Sequence, residues 1–335
     1  KLVRRTSDPT SPSLQSLFRC SIAMFPFRVC QFNVLAPSAR ICAPLDKIPW
    51  QHRHAAICDE IMRLQPDVVC LQEFDFAAAS RGFAELYAQK LSNVFSMHLK
   101  KRTGLKNEGL AVLYKKDAFD EENVQALELE PRSCDRVALL VRLRHRSSGF
   151  PLLIANTHLT VAHASNSHDI PIARPMQITQ VLDAVDAGGD VDRAVFLCAD
   201  MNCDHFETEP PSASYSASDV SRPVQMVFER GFRSALHDSL PPGVRPLSHT
   251  CSYAQDGCVD YVFFRPSSCV RLVKASLHPE DLRPDVAWSF TDGWRPRDLA
   301  GILSDHRPLI SNFEIVPGNA ASPLDKCPLG TSEIV

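Results

Sequence analysis

Short apolar runs recur along the chain and predict the strands of a sheet. Several runs are apolar at consecutive positions, as in Val68-Val69-Cys70-Leu71, which is typical of strands covered on both faces. The predicted strands are 27–35, 68–71, 110–114, 137–143, 152–156, 194–198, 259–264 and 309–315.

Three stretches place apolar residues three and four positions apart, the spacing of one buried helical face. They predict helices over 51–65, 81–91 and 174–187. No internal repeat or boundary divides 25–317, so we predict one mixed α/β domain. Within it, 203–223 and 275–300 are rich in Pro and polar residues and are predicted to be surface loops.

The two ends differ from this pattern. Residues 1–24 contain Arg4, Arg5 and Arg19 but one acid, Asp8, which indicates either a flexible leader or an organelle-targeting segment. Residues 318–335 are rich in Pro, Gly and Ser and lack periodicity, so we expect a loose tail.

Composition narrows the classes of function. Of 335 residues, 44% are hydrophobic and 22% are charged, as in an ordinary globular protein. The formal net charge of −3 excludes a polycation that coats nucleic acid or anionic membrane, although it permits a local basic groove. No apolar run approaches the roughly 20 residues that span a bilayer, so no membrane partner is expected.

The cysteine pattern bears on metal binding and compartment. Twelve cysteines are spread along the chain without a C-x-x-C pair, which gives little support to structural zinc or to a disulfide framework. Cys70 and Cys198 lie in apolar runs, where a thiol behaves as a small hydrophobe. We expect reduced thiols in an intracellular protein, with the cytoplasm favoured and the mitochondrion open because of the Arg-rich start.

Polar side chains of the kinds used in catalysis lie where predicted strands meet loops, which is where sites are built on sheet scaffolds. Each alone could be a turn or capping residue. Together, hard oxygen ligands with two histidines suit Mg²⁺ or Mn²⁺ rather than zinc, and such an ion neutralises phosphate charge and lowers the pKa of a bound water. The residues are Asn33, Glu73, His158, Asp200, Asn202, Asp260, Asp305 and His306.

These residues stand in six ordered motifs between 25 and 316: Asn33, Leu-Gln-Glu73, Asn-Thr-His158-Leu, Asp200-x-Asn202, Asp260-Tyr and Ser-Asp305-His306. The set resembles the endonuclease/exonuclease/phosphatase superfamily, whose fold is that of DNase I. The flanking residues are similar to one branch of it, that of the carbon catabolite repressor deadenylases, nocturnin and the angel proteins. These flanks are Asn33-Val34-Leu35-Ala36, Trp50-x-x-Arg53, Gln65-Pro66-Asp67, Cys70-Leu71-Gln72-Glu73, Lys101-Arg102-Thr103-Gly104 and Glu108-Gly109-Leu110-Ala111.

The resemblance implies a four-layer α/β sandwich in which two central mixed sheets, flanked by helices, bring these loops to one edge. It also implies a Mg²⁺ or Mn²⁺ cofactor. Glu73 would be the principal metal ligand, aided by Asn33, with Asp305 near the ion.

The resemblance further implies how phosphoryl transfer would proceed, mainly through positioning and electrostatics. Asp200 and Asn202 would position the attacking water and the scissile phosphate. His158 would donate to a phosphate oxygen. His306 would be the general base or would stabilise the transition state, oriented by Asp260.

The sequence departs from the branch at a few positions. Ala199 and Met201 stand where Gly and Phe are usual, and Asp135-Arg136-Val137 replaces Asp-Asn-Val. Arg136 adds a positive charge either near the site or on the surface. No leucine-rich repeats are present, so no repeat-mediated partner contact is expected, and a monomer is favoured. None of the metal- or proton-handling positions is lost, so we expect an active enzyme.

Two further features are candidates for substrate binding. The segment 97–116 carries six basic residues and one acid, and is either a phosphate-backbone track through Lys101, Arg102 and Lys106 or a solvated turn. The aromatic residues of 275–300 could stack on bases or plug the domain edge. They are Trp288, Phe290 and Trp294.

Three functions remain open from the sequence. The first is a Mg²⁺-dependent 3′-exoribonuclease on single-stranded RNA such as poly(A). The second is a small-nucleotide phosphatase or phosphodiesterase, acting on the 2′-phosphate of NADP(H) or on 2′,5′-linked oligoadenylate. The third is an inactive RNA-binding scaffold, which the complete set of catalytic residue types disfavours.

Overall fold

The protein consists of two six-stranded mixed sheets with helices on their outer faces. The computed structural model describes residues 24–38, 48–161, 170–188, 193–203, 217–241, 258–267, 269–278 and 303–316. The strands are β1 (Phe25–Asn33), β2 (Val68–Asp75), β3 (Phe95–Lys101), β4 (Glu108–Lys115), β5 (Phe119–Glu128), β6 (Val137–His145), β7 (Pro151–His158), β8 (Ala194–Asp200), β9 (Arg233–Ser234), β10 (Asp260–Phe264), β11 (Val270–Leu277) and β12 (Leu309–Ile315). The helices are α1 (Trp50–Leu64), α2 (Phe83–Leu91), α3 (Ile170–Asp186), α4 (Ala217–Glu229) and α5 (Ala235–Asp238).

The alternation of side chains along β1 shows how the layers are stacked. The first sheet has the order β11-β12-β1-β2-β4-β3, and the second has the order β5-β6-β7-β8-β10-β9. Phe27 and Val29 belong to a large core shared with the second sheet and with α3, whereas Cys30 and Phe32 pack in a separate core with α1 and α2. The apolar runs are therefore covered on both faces, and the predicted α/β sandwich with two central sheets is confirmed.

The four strands that the sequence pattern missed are β3, β5, β9 and β11, the edge strands of the two sheets. Edge strands bury less of their surface, and polar residues serve there to discourage pairing with other chains. In β5 the residues from Asp120 to Asn123 are exposed. Such a strand has neither an apolar run nor a strict alternation, and so periodicity could not detect it.

The two predicted surface loops have the wrong bounds. The segment 203–223 includes the start of α4 at Ala217, and the segment 275–300 includes the end of β11 at Leu277. Residues 204–216 and 279–300 of these segments lie outside the described residues. So do the leader 1–24 except Met24, the tail 318–335, and the candidate aromatics Trp288, Phe290 and Trp294.

The described residues also bear on the cysteine and membrane predictions. The eight cysteines among them are free thiols, and six of these are buried in the core clusters. The eight are Cys30, Cys58, Cys70, Cys134, Cys198, Cys203, Cys258 and Cys269, and those outside the clusters are Cys134 and Cys269. No helix in this part of the chain is long and apolar enough to cross a membrane.

A β-bulge interrupts the pairing of β2 with β4. Gln72 pairs with Leu110 and Phe74 pairs with Gly109, so Glu73 is an extra residue, and its φ of 55° is in the left-handed region. Across from it, a Cβ added to Gly109 would lie 2.2 Å from the Lys100 carbonyl oxygen. The backbone of β3 approaches β4 closely here, which only glycine permits.

We predict that Gly109→Ala destabilises the protein by about 2–3 kcal/mol, because the Lys100 carbonyl cannot retreat without disturbing the pairing of β3 with β4. Urea unfolding of the variant measures this loss. Gly188→Ala is the control, since its Cβ would contact mainly the end of the Arg142 side chain, and it should cost less than about 0.5 kcal/mol. Equal midpoints for Gly109→Ala and the wild type would contradict the tight approach.

Candidate active site

Polar side chains gather at the edge where the central strands of both sheets end. In the first sheet β1 and β2 are parallel, and Asn33 lies beside Gln72. In the second sheet His158 lies beside Asp200 on the parallel strands β7 and β8, and Asp200 lies opposite Asp260 of β10. The sheet topology thus brings the predicted motifs to one edge, as expected from their positions where strands meet loops.

Buried amides connect the two sheets beneath this edge. Gln31 Nε2 donates to Gln72 Oε1 and to Asp260 Oδ1, both at 2.8 Å. Gln72 Nε2 donates to Asn156 Oδ1 at 2.8 Å, and Asn156 Nδ2 donates to the Leu71 carbonyl at 2.9 Å. All four side chains are fully buried, so these hydrogen bonds fix the position of one sheet relative to the other.

Asp260 and His306 form a carboxylate–histidine pair. The distance from His306 Nδ1 to Asp260 Oδ2 is 2.7 Å, which favours the tautomer that donates from Nδ1. His306 Nε2 then faces the other carboxylates, at 3.8 Å from Asp200 Oδ2 and 4.0 Å from Asp305 Oδ1. This geometry matches the predicted orientation of His306 by Asp260 and leaves Nε2 as the proton-accepting nitrogen.

Asp200 lies at the centre of the cluster. One of its oxygens, Oδ2, accepts from Asn33 Nδ2 at 2.9 Å and lies 3.4 Å from His158 Nε2. The other, Oδ1, accepts from the backbone N–H of Asn202 at 3.0 Å. Burial and the neighbouring charge of Asp260 raise the pKa of Asp200.

His158 and Asn202 have different local roles. Burial, followed by the positive charges of Arg136 and Arg102, lowers the pKa of His158 well below its usual value, so the ring is neutral at physiological pH and has a single N–H to donate. Asn202 adopts a φ of 51° and donates from Nδ2 to the Leu159 carbonyl at 3.0 Å. Asn202 therefore joins the loop after β8 to the loop after β7.

Glu73 lies on the first-sheet side of the cluster. Its Oε1 accepts from Asn33 Nδ2 at 3.0 Å, and its Oε2 accepts from the backbone N–H of Ala36 at 3.2 Å. Burial, with the negative charges of Glu108 and Asp305, raises the pKa of Glu73 to about 7. In a regular strand Glu73 would point away from Gln72, but the bulge in β2 turns both side chains to the same side.

This donor set suits a divalent cation. Among the described residues no Lys or Arg donates to Glu73 or Asp305, so no direct ion pair relieves the mutual repulsion of these carboxylates. Ligand atoms of Asp200, Asp260 and His306 also lie within 4.8 Å of one another. Because Asp260 and His306 already bind each other, we retain Glu73, Asn33 and Asp305 as the expected ligands, with Asp200 adjoining them.

Arg53 holds two loops of the site in place, a role that the motif Trp50-x-x-Arg53 did not predict. The side chain is 2% exposed, and its Nη1 donates to the carbonyls of Val34 and Leu303 at 2.7 Å and 3.0 Å. Its Nη2 donates to the Leu35 carbonyl. One guanidinium therefore ties the loop after β1, which follows Asn33, to the loop that carries Asp305 and His306.

The basic segment 97–116 forms the β3–β4 hairpin, and most of its charges are already engaged. Arg102 pairs with Glu108 and donates to the Cys134 and Asp135 carbonyls. Lys101 and Lys106 are exposed, so they stay candidates for contact with substrate, as does Arg102. The other basic residues bind Glu128, Asp67 and the Ser92 carbonyl; they are Lys100, Lys115 and Lys116.

The departures from the branch are accommodated inside the protein. Ala199 and Met201 are fully buried in the large core. Arg136 is 3% exposed, so of its two predicted positions the surface one is wrong.

Two mixed sheets pack together, and carboxylates, amides and a carboxylate–histidine pair lie at one edge of them. This combination defines a DNase I-like phosphate-ester hydrolase. Residues 30–306 match the Endonuclease/Exonuclease/phosphatase family, and the chain belongs to that family, whose members generally depend on a divalent cation. The match confirms the superfamily that the six motifs predicted, and with it the prediction of an enzyme.

Known relatives lie in the predicted branch. Nocturnin of Drosophila melanogaster is 24% identical over 87% of this chain, which spans 47% of that protein, so the chain covers about half of its relative. The human nocturnin catalytic domain with bound sulfate superposes with a TM-score of 0.62 and 20% identity, over 87% of this chain and 94% of that one. ANGEL2, a 2′,3′-cyclic phosphatase in complex with adenosine-2′,3′-vanadate, has a TM-score of 0.61 and 19% identity, over 87% and 96%.

We predict that Asp260→Asn lowers kcat by about 10³-fold or more while leaving the fold intact. The amide oxygen accepts from Gln31 Nε2, so the amide NH₂ group faces His306 Nδ1 and disfavours the tautomer that donates from Nδ1. Hydrolysis of bis(p-nitrophenyl) phosphate with Mg²⁺ measures the loss. Asp67→Asn is the matched control: this carboxylate binds Lys115 and the Arg28 N–H far from His306, so its variant should keep its kcat. A kcat for Asp260→Asn within threefold of the wild type would show that the pair has no catalytic part.

Proposed function

We propose that this chain is a divalent-metal-dependent phosphodiesterase, with Mg²⁺ as the expected ion, that removes nucleotides from the 3′ end of single-stranded RNA such as poly(A). The observation that carries the proposal is the Asp260–His306 pair, whose Nε2 faces Asp200 beside the carboxylates Glu73 and Asp305. We assign the activity to the predicted domain 25–317.

His306 provides the proton acceptor for the reaction. With Nδ1–H held by Asp260, Nε2 takes the proton of the attacking water, and Asp260 stabilises the imidazolium that forms. Asp200, held by Asn33 and the Asn202 N–H, accepts a hydrogen bond from that water and orients it toward phosphorus. His158 donates its single N–H to a non-bridging phosphate oxygen as negative charge develops. The bond between phosphorus and the 3′-oxygen of the preceding nucleotide breaks, and that oxygen takes up a proton from solvent, so that a nucleoside 5′-monophosphate and a shortened RNA are released.

A divalent cation would be held by Glu73, Asn33 and Asp305. When bound, it neutralises phosphate charge and lowers the pKa of a water. The chain itself contributes the preorganised carboxylates, since the bulge fixes Glu73 and Arg53 fixes the two loops on either side.

Support for an RNA substrate comes from the branch and from the hairpin beside the site. Relatives in this branch include a carbon catabolite repressor protein 4 homolog of Arabidopsis thaliana, 26% identical over 58% of this chain. Lys101 and Lys106 are exposed on the β3–β4 hairpin, whose Arg102 influences His158 electrostatically. Two exposed amines there suit the backbone phosphates of the nucleotides that precede the scissile one.

A second candidate is a phosphatase or phosphodiesterase for a small nucleotide, such as the 2′-phosphate of NADP(H) or 2′,5′-linked oligoadenylate. The observation that favours it is the likeness of the fold to ANGEL2, which is described as a 2′,3′-cyclic phosphatase. A cyclic phosphate at the end of an RNA is a substrate with features of both candidates.

One assay separates these functions. The purified chain is incubated with Mg²⁺ or EDTA on 5′-labelled poly(A), mixed-sequence RNA, 2′,5′-oligoadenylate, NADPH and adenosine 2′,3′-cyclic phosphate. Metal-dependent shortening of RNA from its 3′ end supports the proposal. Phosphate release from NADPH or opening of the cyclic phosphate without shortening would replace it with the second candidate, and turnover of none of these substrates would leave an RNA-binding scaffold.

We predict that Glu73→Gln lowers turnover at least about 100-fold, because it removes the negative charge that anchors the cation while keeping the shape of the side chain. Turnover is measured across a Mg²⁺ titration. Glu60→Gln serves as the control, since Glu60 pairs with Arg63 on α1 and should be dispensable. Recovery of wild-type turnover by Glu73→Gln at saturating Mg²⁺ would overturn the assignment of Glu73 as a ligand.

A further inference from the structure

Arg136 lies beside the strands that carry His158 and Asp200, but it has no role in the proposed reaction. It directly precedes β6, and its carbonyl accepts from the Leu129 N–H at 2.8 Å. The next residue, Val137, accepts a hydrogen bond from Thr157 Oγ1 at 3.1 Å. Since Thr157 precedes His158, Arg136 lies at the same end of the second sheet as His158 and Asp200.

The guanidinium of Arg136 is buried and has no hydrogen-bond partner among the residues that the structure describes. The residue is 3% exposed, and neither Nε nor Nη1 makes a hydrogen bond to any residue in the described part of the chain. Two equally buried arginines behave differently. Arg53 donates to three carbonyls, and Arg174 donates from Nε to the Thr160 carbonyl at 2.7 Å.

No acid in the described part of the chain forms an ion pair with Arg136. The negative charges of Glu108, Asp200 and Glu73 act on it only through space, and Glu108 is bound to Arg102 instead. Burial and the charge of Arg102 lower the pKa of Arg136 to about 10, so it is still positively charged at neutral pH. A buried, uncompensated charge is strongly destabilising, and it is tolerated where a ligand supplies the opposite charge.

We propose that Arg136 is a phosphate-binding residue of this site, whose guanidinium pairs with non-bridging oxygens of the substrate phosphate. The inference rests on the proposed class of phosphate-ester substrate but not on RNA in particular. A planar guanidinium carries paired N–H groups along its Nε–Nη2 and Nη1–Nη2 edges, and either edge matches two phosphate oxygens at once. In that position the phosphate has Arg136 and the His158 N–H on one side. The carboxylates that would hold the cation lie on its other side.

The proposal has a consequence for the protein without substrate or metal. Because the charge is uncompensated, its removal should not destabilise the fold, whereas an oxyanion that reaches it should stabilise the wild type by linkage. Inorganic phosphate is the probe, in EDTA, so that binding does not depend on a cation. Thermal unfolding is followed with and without phosphate, and with sodium chloride at matched ionic strength.

The variants are Arg136→Gln, which removes the charge, and Arg136→Lys, which keeps it without the fork. Arg144→Gln is the matched control, since Arg144 lies on the same strand but pairs with Glu122 and the Gly149 carbonyl. We expect phosphate to raise the melting temperature of the wild type and of the control, to raise that of Arg136→Lys less, and to leave that of Arg136→Gln unchanged. Without phosphate, Arg136→Gln should melt no lower than the wild type.

Two results would overturn the proposal. One is an equal phosphate shift in Arg136→Gln and the wild type. The other is a lower melting temperature for Arg136→Gln in the absence of phosphate, which would make Arg136 a structural residue.

Turnover separates this proposal from the proposed function. On whichever substrate the wild type hydrolyses, kcat/KM should fall about 100-fold in Arg136→Gln and recover partly in Arg136→Lys. If RNA is not hydrolysed but phosphate binding still requires Arg136, the RNA assignment fails and the phosphate site stands. If RNA is hydrolysed equally by Arg136→Gln and the wild type, the phosphate site fails and the RNA assignment stands.

Discussion

The hydrogen bonds between buried amides and carboxylates of the two sheets are the constraint on which the site depends. Gln31 joins Asp260 to Gln72, and Asn33 joins Asp200 to Glu73. Two of these bonds, from Gln31 to Asp260 and from Asn33 to Asp200, join the two sheets, and the other two lie within the first sheet. Buried polar groups are costly unless they are paired. The two sheets are therefore held in the arrangement in which these polar groups form hydrogen bonds. The same arrangement sets the distances between the carboxylates and His306.

Local departures from regular strand geometry then direct individual side chains. The bulge in β2 adds Glu73 to the face that already carries Gln72, and Gly109 allows the neighbouring strand to approach at that point. Asn202 reaches its left-handed backbone conformation immediately after β8, where an Asn tolerates it. Arg53 holds the loops after β1 and before β12 by their carbonyls.

The sequence predicted the central strands and the family, for physical reasons that also explain the failures. Strands buried on both faces leave apolar runs, whereas the edge strands β3, β5, β9 and β11 do not. The order of motifs identified the family, and the predicted site residues lie together at one edge of the sheets. Gln31 was missed because one amide within an apolar strand resembles an ordinary core substitution, and the link that Asn156 makes between the sheets could not be predicted from its place in a motif. The burial of Arg136 depends on the packing of the β3–β4 hairpin over β6, which no local pattern encodes.

The inter-sheet hydrogen bonds should act on catalysis through the Asp260–His306 pair. A double-mutant cycle that measures kcat tests this coupling. Gln31→Leu removes the donor to Asp260 Oδ1, and His306→Gln removes the proton acceptor. The account predicts that Gln31→Leu lowers kcat about tenfold or more in the wild type and has no further effect in the His306→Gln background. Equal fold-losses in the two backgrounds would mean that Gln31 acts independently of the pair, which would contradict the account.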